Sequence, residues 1–236
     1  MPHADFSTAV ALSSTVRLNI AGEAITLLPQ RAAWWHDGEQ GGDAAQGGTL
    51  LISDLHLGKV ETFASLGVPL PAVMHRQLAQ LSGLIEATRC RRVMILGDLL
   101  HAPAGLTQLM LDEVRTWREQ HGCEFAIVPG NHDRKIDKVA DWWNMRLLGE
   151  LHHEGPFAFT HEPRAIAGKF TWAGHIHPVV KLRTASDALK LWCYVIDHER
   201  QCAVLPAFCD FTSGGRFERG ASTKVYAIAE GCVLEV

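Results

Sequence analysis

Five short segments of the chain carry side chains of the types that bind divalent metal ions. The segments are residues 53–56, 97–98, 130–133, 160–161 and 174–177, and their ligand-type side chains are Asp54, His56, Asp98, Asn131, His161, His175 and His177. All of these donors are oxygen or imidazole nitrogen, and none is a thiolate. Such a donor set favours Mn, Fe, Zn or Mg in a reactive site over a structural zinc cage.

Seven ligands exceed what one ion takes, since a single ion holds about six donors and a catalytic ion keeps some positions for water or substrate. We therefore expect two ions, with Asp98 as the carboxylate that bridges them. Two ions roughly 3.5–4 Å apart can turn a shared water into hydroxide and hold a phosphoryl oxygen. The pattern predicts hydrolysis of a phosphoester by a metal-bridging hydroxide.

Three apolar runs are expected to bring these ligands to one place. Residues 49–53, 92–97 and 124–128 read as buried strands, and each ends at a ligand segment. Residues 69–88 and 106–117 between them have apolar positions at helical spacing. Alternating strands and helices imply a parallel sheet whose carboxyl ends share one edge, which is where sites form in such sheets.

The rest of the chain predicts a hairpin before this unit and a second sheet after it. Residues 14–36 read as an N-terminal hairpin, and the glycine-rich residues 37–48 as a mobile surface loop. A second, mostly antiparallel or mixed sheet is expected from apolar runs at 156–160, 170–173, 189–196, 203–205 and 224–229. We interpret residues 1–236 as a single domain.

Composition limits the class of protein. With 47% apolar and 20% charged residues among 236, the chain is expected to be globular. No apolar run is long enough to span a bilayer, and the six cysteines form no CxxC pair, so we expect a cytoplasmic protein with reduced thiols and no membrane partner. The net charge of −4 predicts that a polyanionic substrate is held locally, by metal ions and a few basic side chains.

The order of the five segments resembles the signature of the calcineurin-like metallophosphoesterase superfamily, D-x-H, GD, GNH[DE], H and GHxH, over residues 50–178. The resemblance implies an α/β fold, a β-sandwich of two mixed sheets flanked by helices (αββα), with the ions at the sheet edges. It also implies that His132 is a catalytic histidine that is not a ligand. This histidine would stabilise the transition state or protonate the leaving oxygen, with Asp133 fixing its tautomer.

Further details resemble one branch of that superfamily, the bacterial ligase-associated DNA damage response endonucleases. They are found in residues 53–59, 97–101, 161–163, 173–178 and 205–208, whereas the tail at 209–215 departs from that branch. The narrower resemblance implies a manganese-dependent DNA endonuclease or phosphodiesterase in DNA repair. DNA would be the substrate, and a DNA ligase and a helicase would be partners.

Three basic side chains near the ligand segments are candidate substrate contacts: Lys59, His101 and Arg134. Each could meet a phosphate, and each has a plainer alternative as a solvated or structural residue. The pairs Trp34-Trp35 and Trp142-Trp143 could stack on bases, but we favour packing in the core.

Two other functions are compatible with the same ligands. One is a phosphomonoesterase or a nucleotide or lipid-precursor hydrolase, because substrate choice depends on loops. The other is a catalytically silent scaffold of the same fold that binds a protein. A complete ligand set argues against the scaffold, since binding a partner does not require it.

Overall fold

The computed structural model describes residues 14–36, 47–68, 70–71, 73–183 and 188–236. Most of the predicted glycine-rich loop, residues 37–46, lies outside this part of the chain. The described residues form two mixed sheets with helices, which confirms the predicted α/β architecture.

The first sheet places antiparallel strands beside parallel ones. In spatial order its strands are β1 (Val16–Ile20), β2 (Glu23–Leu28), β3 (Ala32–Trp35), β4 (Thr49–Ile52), β5 (Arg92–Leu96), β6 (Glu124–Val128) and β7 (Arg146–Leu147). Strands β1 to β4 pair antiparallel, and β4 to β7 pair parallel. The predicted hairpin turns at Ala21 and Gly22, whose positive φ angles of 52° and 89° match the twist of the two strands.

The helices connect the parallel strands of the first sheet, and all of them except the first bury residues against its outer face. They are α1 (Lys59–Ser65), α2 (Met74–Thr88), α3 (Gln108–Glu119) and α4 (Ile136–Trp142), with a 3₁₀ turn at Pro103–Gly105. Leu81 of α2 and Val114 of α3 belong to the same buried cluster as Val93 and Ile95 of β5. The first helix was not predicted, and α2 begins five residues later than the apolar periodicity indicated.

The second sheet faces the first. Its strands are β8 (Leu151–Glu154), β9 (Phe157–Thr160), β10 (Phe170–Ala173), β11 (Val179–Arg183), β12 (Ala188–Asp197), β13 (Cys202–Val204), β14 (Thr223–Ala229) and β15 (Cys232–Glu235). Their spatial order is β15-β14-β12-β13-β10-β9-β8, with β11 paired to β12. In the described residues, Ile176, Val180 and Phe217 pack against the outer face of this sheet. These are strand and loop residues rather than a helix.

Successive residues of the central strands face different layers, which explains their continuous apolar sequences. In β5, Val93 and Ile95 face the helices, whereas Met94 and Leu96 face the second sheet. Because both faces of the strand are covered, no position can be polar without a hydrogen-bonding partner. The result is a rigid base from which the carboxyl ends of the strands emerge.

Tyr194 joins the two sheets by a buried hydrogen bond. Its hydroxyl on β12 lies 2.6 Å from the carbonyl oxygen of Leu28 and 2.9 Å from that of Ala32, and its ring is 1% exposed. Tyr194→Phe should lower the free energy of unfolding by about 1–2 kcal/mol, because the buried hydrogen bond of the hydroxyl is lost, although the Leu28 carbonyl still accepts from the backbone N–H of Arg31. Urea denaturation measures this loss. Tyr226→Phe, which changes another buried tyrosine, is the control, and an equal loss in both variants would contradict the special role of Tyr194.

Several smaller expectations can be compared with the structure. Trp34, Trp35 and Trp143 are buried, which confirms packing in the core over base stacking for these three. All six cysteines are free thiols, as predicted. Within the described residues, each helix is too short or too polar to cross a membrane.

Candidate metal centre

The ligand segments converge at one edge of the two sheets because each of them directly follows a strand. Asp54 follows β4, Asp98 follows β5, and Asn131 follows β6. In the second sheet, His161 follows β9 and the segment with His175 follows β10. The carboxyl ends of parallel neighbours meet at the same edge, so residues more than a hundred positions apart become neighbours.

The first group of ligand-type side chains contains Asp54, His56 and His177, whose donor atoms all lie within 4.8 Å of one another. His177 Nε2 is 3.1 Å from Asp54 Oδ1 and 3.4 Å from His56 Nε2. Ligands that sit about 2.0–2.2 Å from one ion lie roughly 3 Å from each other, so this spacing fits a shared ion. The buried carboxylate and the two imidazoles could therefore hold one ion together.

The second group contains Asp98, His161 and His175, with the side-chain amide of Asn131 among them. Asn131 Oδ1 is 2.9 Å from His161 Nε2 and 3.1 Å from His175 Nδ1, and these two nitrogens are 3.1 Å apart. Asp98 Oδ2 lies 3.4 Å from His161 Nε2. The donor atoms again converge on one point, at the distances that a single ion requires.

Hydrogen bonds join the two groups. The backbone N–H of His175, in the second group, donates to the carboxylate of Asp54 in the first group, with 3.1 Å to Oδ2. The backbone N–H of His56 donates to the carbonyl of Asp98 at 2.9 Å. The structure thus brings all seven predicted ligands together in two adjoining groups.

Five of the predicted ligands adopt a left-handed backbone conformation that is uncommon for residues other than glycine. Their φ angles are 55° at Asp54, 50° at His56, 49° at Asp98, 69° at His175 and 52° at His177. Such conformations cost about 1–3 kcal/mol each and persist where the surroundings enforce them, most often at functional sites. Five such residues at one sheet edge indicate that strained backbone, which lowers stability, orients these side chains toward the site.

The electrostatics of the groups depend on burial and on the two carboxylates. Burial lowers the pKa of His56 to about 3, so its imidazole is neutral and ready to bind a cation. At His161, burial lowers the pKa, but the hydrogen bond and charge of Asp98 outweigh it and raise the pKa to about 9. Burial acts on Asp98 in the upward direction, yet His161 lowers the pKa of this carboxyl overall. A cation that binds here replaces the His161 proton, so binding should release it.

The predicted contact between Asp133 and His132 is wrong. His132 Nδ1 is 2.8 Å from the carbonyl oxygen of His101, which fixes the orientation of the ring. Asp133 instead accepts from the backbone N–H groups of Leu100 and Gly130, both at 2.8 Å. Burial raises the pKa of Asp133 to about 6. This carboxylate holds two loops of the site together, because their backbone donors have no strand partner at that point.

His101 lies beside His132, a contact that was not predicted from the sequence. The two rings stack at 5.6 Å between centroids and 11° between planes, and His56 completes a third group of donors within 4.8 Å. Burial lowers the pKa of His101 to about 4. No periodicity could have shown that its backbone carbonyl orients the catalytic candidate, since that contact depends on the path of a loop.

The other two candidate substrate contacts differ in how their side chains are held. The ammonium group of Lys59, at the start of α1, donates to the carbonyl of Phe211, and its charge helps to lower the pKa values of His56 and His101. Arg134 is exposed, and its backbone N–H donates to the carbonyl of His132 at 2.7 Å. Lys59 is thus fixed near the first group, whereas the Arg134 side chain projects from the surface.

Gly97 makes the close approach of two ligand segments feasible. Its φ is +82°, and a Cβ at this position would lie 2.1 Å from His161 Nδ1. Gly97→Ala should cost at least about 2 kcal/mol of stability through backbone strain and overpacking, and displace the ring of His161. Thermal unfolding and metal content per chain test this. Gly122→Ala has open space around its Cβ and serves as control; normal metal content in Gly97→Ala would contradict the argument.

The protein thus combines a two-sheet α/β fold with paired groups of carboxylate and imidazole side chains that could hold metal ions. Comparisons with known protein families and with curated proteins found no match. Among solved structures, a nuclease called MPE from Pseudomonas putida is 31% identical, with a TM-score of 0.78. The match covers 94% of this chain and 100% of that one. The chain belongs to the family of this nuclease.

Proposed function

We propose that the protein is a dinuclear metal-dependent phosphodiesterase, and specifically a DNA endonuclease. The observation that carries this proposal is the pair of adjoining groups of ligand-type side chains at one sheet edge, in a chain that matches a nuclease over 94% of its length. One ion would be held by Asp54, His56, Asp98 and His177, and the other by Asp98, Asn131, His161 and His175. In this assignment Asp98 is shared.

The donors suit manganese, with iron, zinc or magnesium as the other candidates, because they are carboxylate, amide and imidazole groups. Ions held in this way would supply activated water and neutralise charge on the phosphoryl oxygens. The protein's own contribution is to fix seven side chains in advance, through left-handed backbone and buried hydrogen bonds, so that little reorganisation is needed during the reaction.

His132 is the proposed proton donor to the leaving oxygen. Because its Nδ1 faces the His101 carbonyl, Nε2 is the nitrogen that can give a proton to substrate. Its backbone N–H also donates to Asp98 Oδ1 at 2.9 Å, which ties its position to the ligand groups. A general acid placed in this way accelerates expulsion of a poor leaving group such as a sugar hydroxyl.

The role in DNA repair, the action beside a DNA ligase and a helicase, and a cytoplasmic location extend this proposal. They rest on the resemblance of residues 53–59, 97–101 and 173–178 to the ligase-associated endonuclease branch. Lys59, His101 and Arg134 are the proposed contacts to substrate phosphates. Asp133 supports the site through the Leu100 and Gly130 backbones.

The activity is tested with manganese-loaded protein on bis-p-nitrophenyl phosphate, p-nitrophenyl phosphate and supercoiled plasmid. We expect faster hydrolysis of the diester than of the monoester, and conversion of the plasmid to nicked circles that EDTA abolishes. Faster hydrolysis of the monoester would assign the protein to the phosphomonoesterases. A protein that binds no metal and cleaves none of the three would be a scaffold of this fold.

A further inference from the structure

The tail loop, residues 206–215, runs beside the first ligand group. Near its start, the backbone N–H of Cys209 donates to the carbonyl of Asp54 at 3.1 Å. At its end, the backbone N–H of Gly215 donates to the carbonyl of His177 at 2.8 Å. The loop is therefore fixed at both ends to residues that belong to the metal centre.

This loop gathers cationic side chains from four separate parts of the chain. The carboxylate of Asp210 accepts from Arg31 and Arg76, the carbonyl of Phe211 accepts from Lys59, and the carbonyl of Ser213 accepts from Lys190. We call Arg31, Arg76, Lys59 and Lys190 the cationic rim. The positions from 210 to 213 span at most about 10 Å, so the four charges form a short row.

The cationic rim carries more positive charge than its carboxylate balances. Arg31 and Arg76 share the single carboxylate of Asp210, whereas among the described residues Lys59 and Lys190 have carbonyl partners and no carboxylate. In addition, Lys190 on β12 lies directly opposite Lys181 on β11, an arrangement of like charges that is unfavourable between strands. An anionic ligand would explain why these cations collect beside the metal centre of a chain whose net charge is −4.

Trp192 lies within the same surface. Its ring centroid is 5.9 Å from Arg31 Cζ and 5.4 Å from Lys190 Nζ, and the residue is half-buried. It pairs across strands with Val179, two residues beyond His177. An aromatic ring flanked by cations is the arrangement by which proteins stack an unpaired base while holding its phosphates.

We infer that the cationic rim and Trp192 bind a single-stranded segment of nucleic acid that leads into the metal centre. Arg31 is buried, so Arg76, Lys59 and Lys190 would hold two or three consecutive phosphates, and Trp192 would stack on one base. This inference deepens the proposed phosphodiesterase function and rests on it for the choice of a nucleic-acid substrate. According to this inference, the nucleic-acid strand is bound by residues that lie outside the five ligand segments.

The test measures binding of a fluorescent single-stranded oligonucleotide, with calcium in place of manganese to slow cleavage, over a series of salt concentrations. The variant is Arg76→Ala with Lys190→Ala, because both side chains are exposed and neither touches a ligand group. We expect binding at least tenfold weaker at low salt. The slope of log K against log salt should become shallower by about 1.4, since two phosphate contacts at about 0.7 each are lost.

A double variant with the same change in net charge is the control. Arg115→Ala with Lys224→Ala removes two exposed cations that pair with Glu119 and Glu235, outside the tail loop. It should bind the oligonucleotide as the wild type does. Equal weakening in both double variants would overturn the inference, because the effect would then come from net charge alone. An unchanged salt slope in the rim variant would overturn it as well.

Trp192→Leu separates stacking from charge. It should weaken binding of the single strand about fivefold or more while leaving the salt slope unchanged, and Trp192→Phe should restore part of the affinity. Unchanged affinity in Trp192→Leu would refute the stacking contact.

Failure of this inference can be distinguished from failure of the proposed function. If the wild type hydrolyses the small diester but the rim variant binds normally, the phosphodiesterase proposal stands without the rim. If the small diester is not hydrolysed and the rim variant still loses affinity, the rim is supported as a nucleic-acid surface and the catalytic proposal is wrong.

Discussion

Asp98→Ala is expected to lose bound metal and hydrolytic activity together, with turnover reduced by about 10³-fold or more. Asp98 is 2% exposed and faces both ligand groups: its carboxylate lies 3.4 Å from His161, and its charge acts on His56. Removal of this carboxylate would leave each group with one fewer negative charge to offset the charge of its ion. Both sites therefore weaken at once.

The measurement is metal content per chain by elemental analysis, together with hydrolysis of the chromogenic diester. Asp112→Ala is the matched control, because Asp112 is an exposed carboxylate on α3 that bonds Gln108. Its metal content and turnover should equal those of the wild type. If Asp98→Ala keeps two metal equivalents per chain, Asp98 does not bridge, and the assignment of shared ligands fails.

The loss of the His161 partner has a second consequence that can be measured without activity. Asp98 holds the pKa of His161 above its ordinary value in the protein without metal. A pKa raised above its unfolded value contributes stability that is present below the unfolded pKa and is lost as the pH rises through the folded pKa, here from about 6.5 to about 9. In metal-free protein, Asp98→Ala should therefore remove a stability increment at pH 6 that the wild type has itself lost by pH 10.

The position of the ligands could be predicted because it follows from strands and their order. An apolar run such as β5 must be buried on both faces, and the first polar residues after it must emerge at the sheet edge. Asp98 and Asn131 were predicted as site residues by this rule together with their residue types. The paired strands of the second sheet carry His161 and His175 to the same edge for the same reason.

The contacts around the ligands could not be predicted, because they depend on how loops of unrelated sequence lie against each other. The choice of the His101 carbonyl, rather than Asp133, as the partner of His132 results from two loops that share no local pattern. The cationic rim has the same origin, since Arg31 and Arg76 are 45 positions apart and both bond Asp210. Periodicity gives the element on which a side chain lies, but not the partner that it meets.

The start of α2 was also predicted incorrectly from the sequence. The apolar spacing predicted a helix from residue 69, whereas the structure starts it at Met74. Pro71 precedes the helix, and the buried residues Val73 and Met74 fix its first turn against the core. Tertiary packing therefore sets the start, while the amphipathic spacing sets only the face that is buried.

His132→Ala is expected to retain the metal ions but to reduce turnover of a diester with a poor leaving group by about 10²–10⁴-fold, as for loss of a general acid. The ring centroid of His132 lies 5.3 Å from that of His56, but His132 belongs to neither Asp-containing group. Its ring is oriented by a backbone carbonyl that the substitution leaves in place. Metal binding should therefore survive.

The leaving group provides the decisive comparison. A substrate whose leaving group is p-nitrophenolate needs little protonation, so its turnover should fall much less in His132→Ala than that of an alkyl diester or of DNA. Asp133→Asn is a useful contrast, because it should lower stability through the weakened acceptors of Leu100 and Gly130 while the His132 ring keeps its orientation. An equal loss of turnover on good and poor leaving groups in His132→Ala would show that this histidine stabilises the transition state without giving up a proton. Loss of metal in the same variant would instead indicate that His132 is a ligand. The group formed by His56, His101 and His132 would then be a metal site.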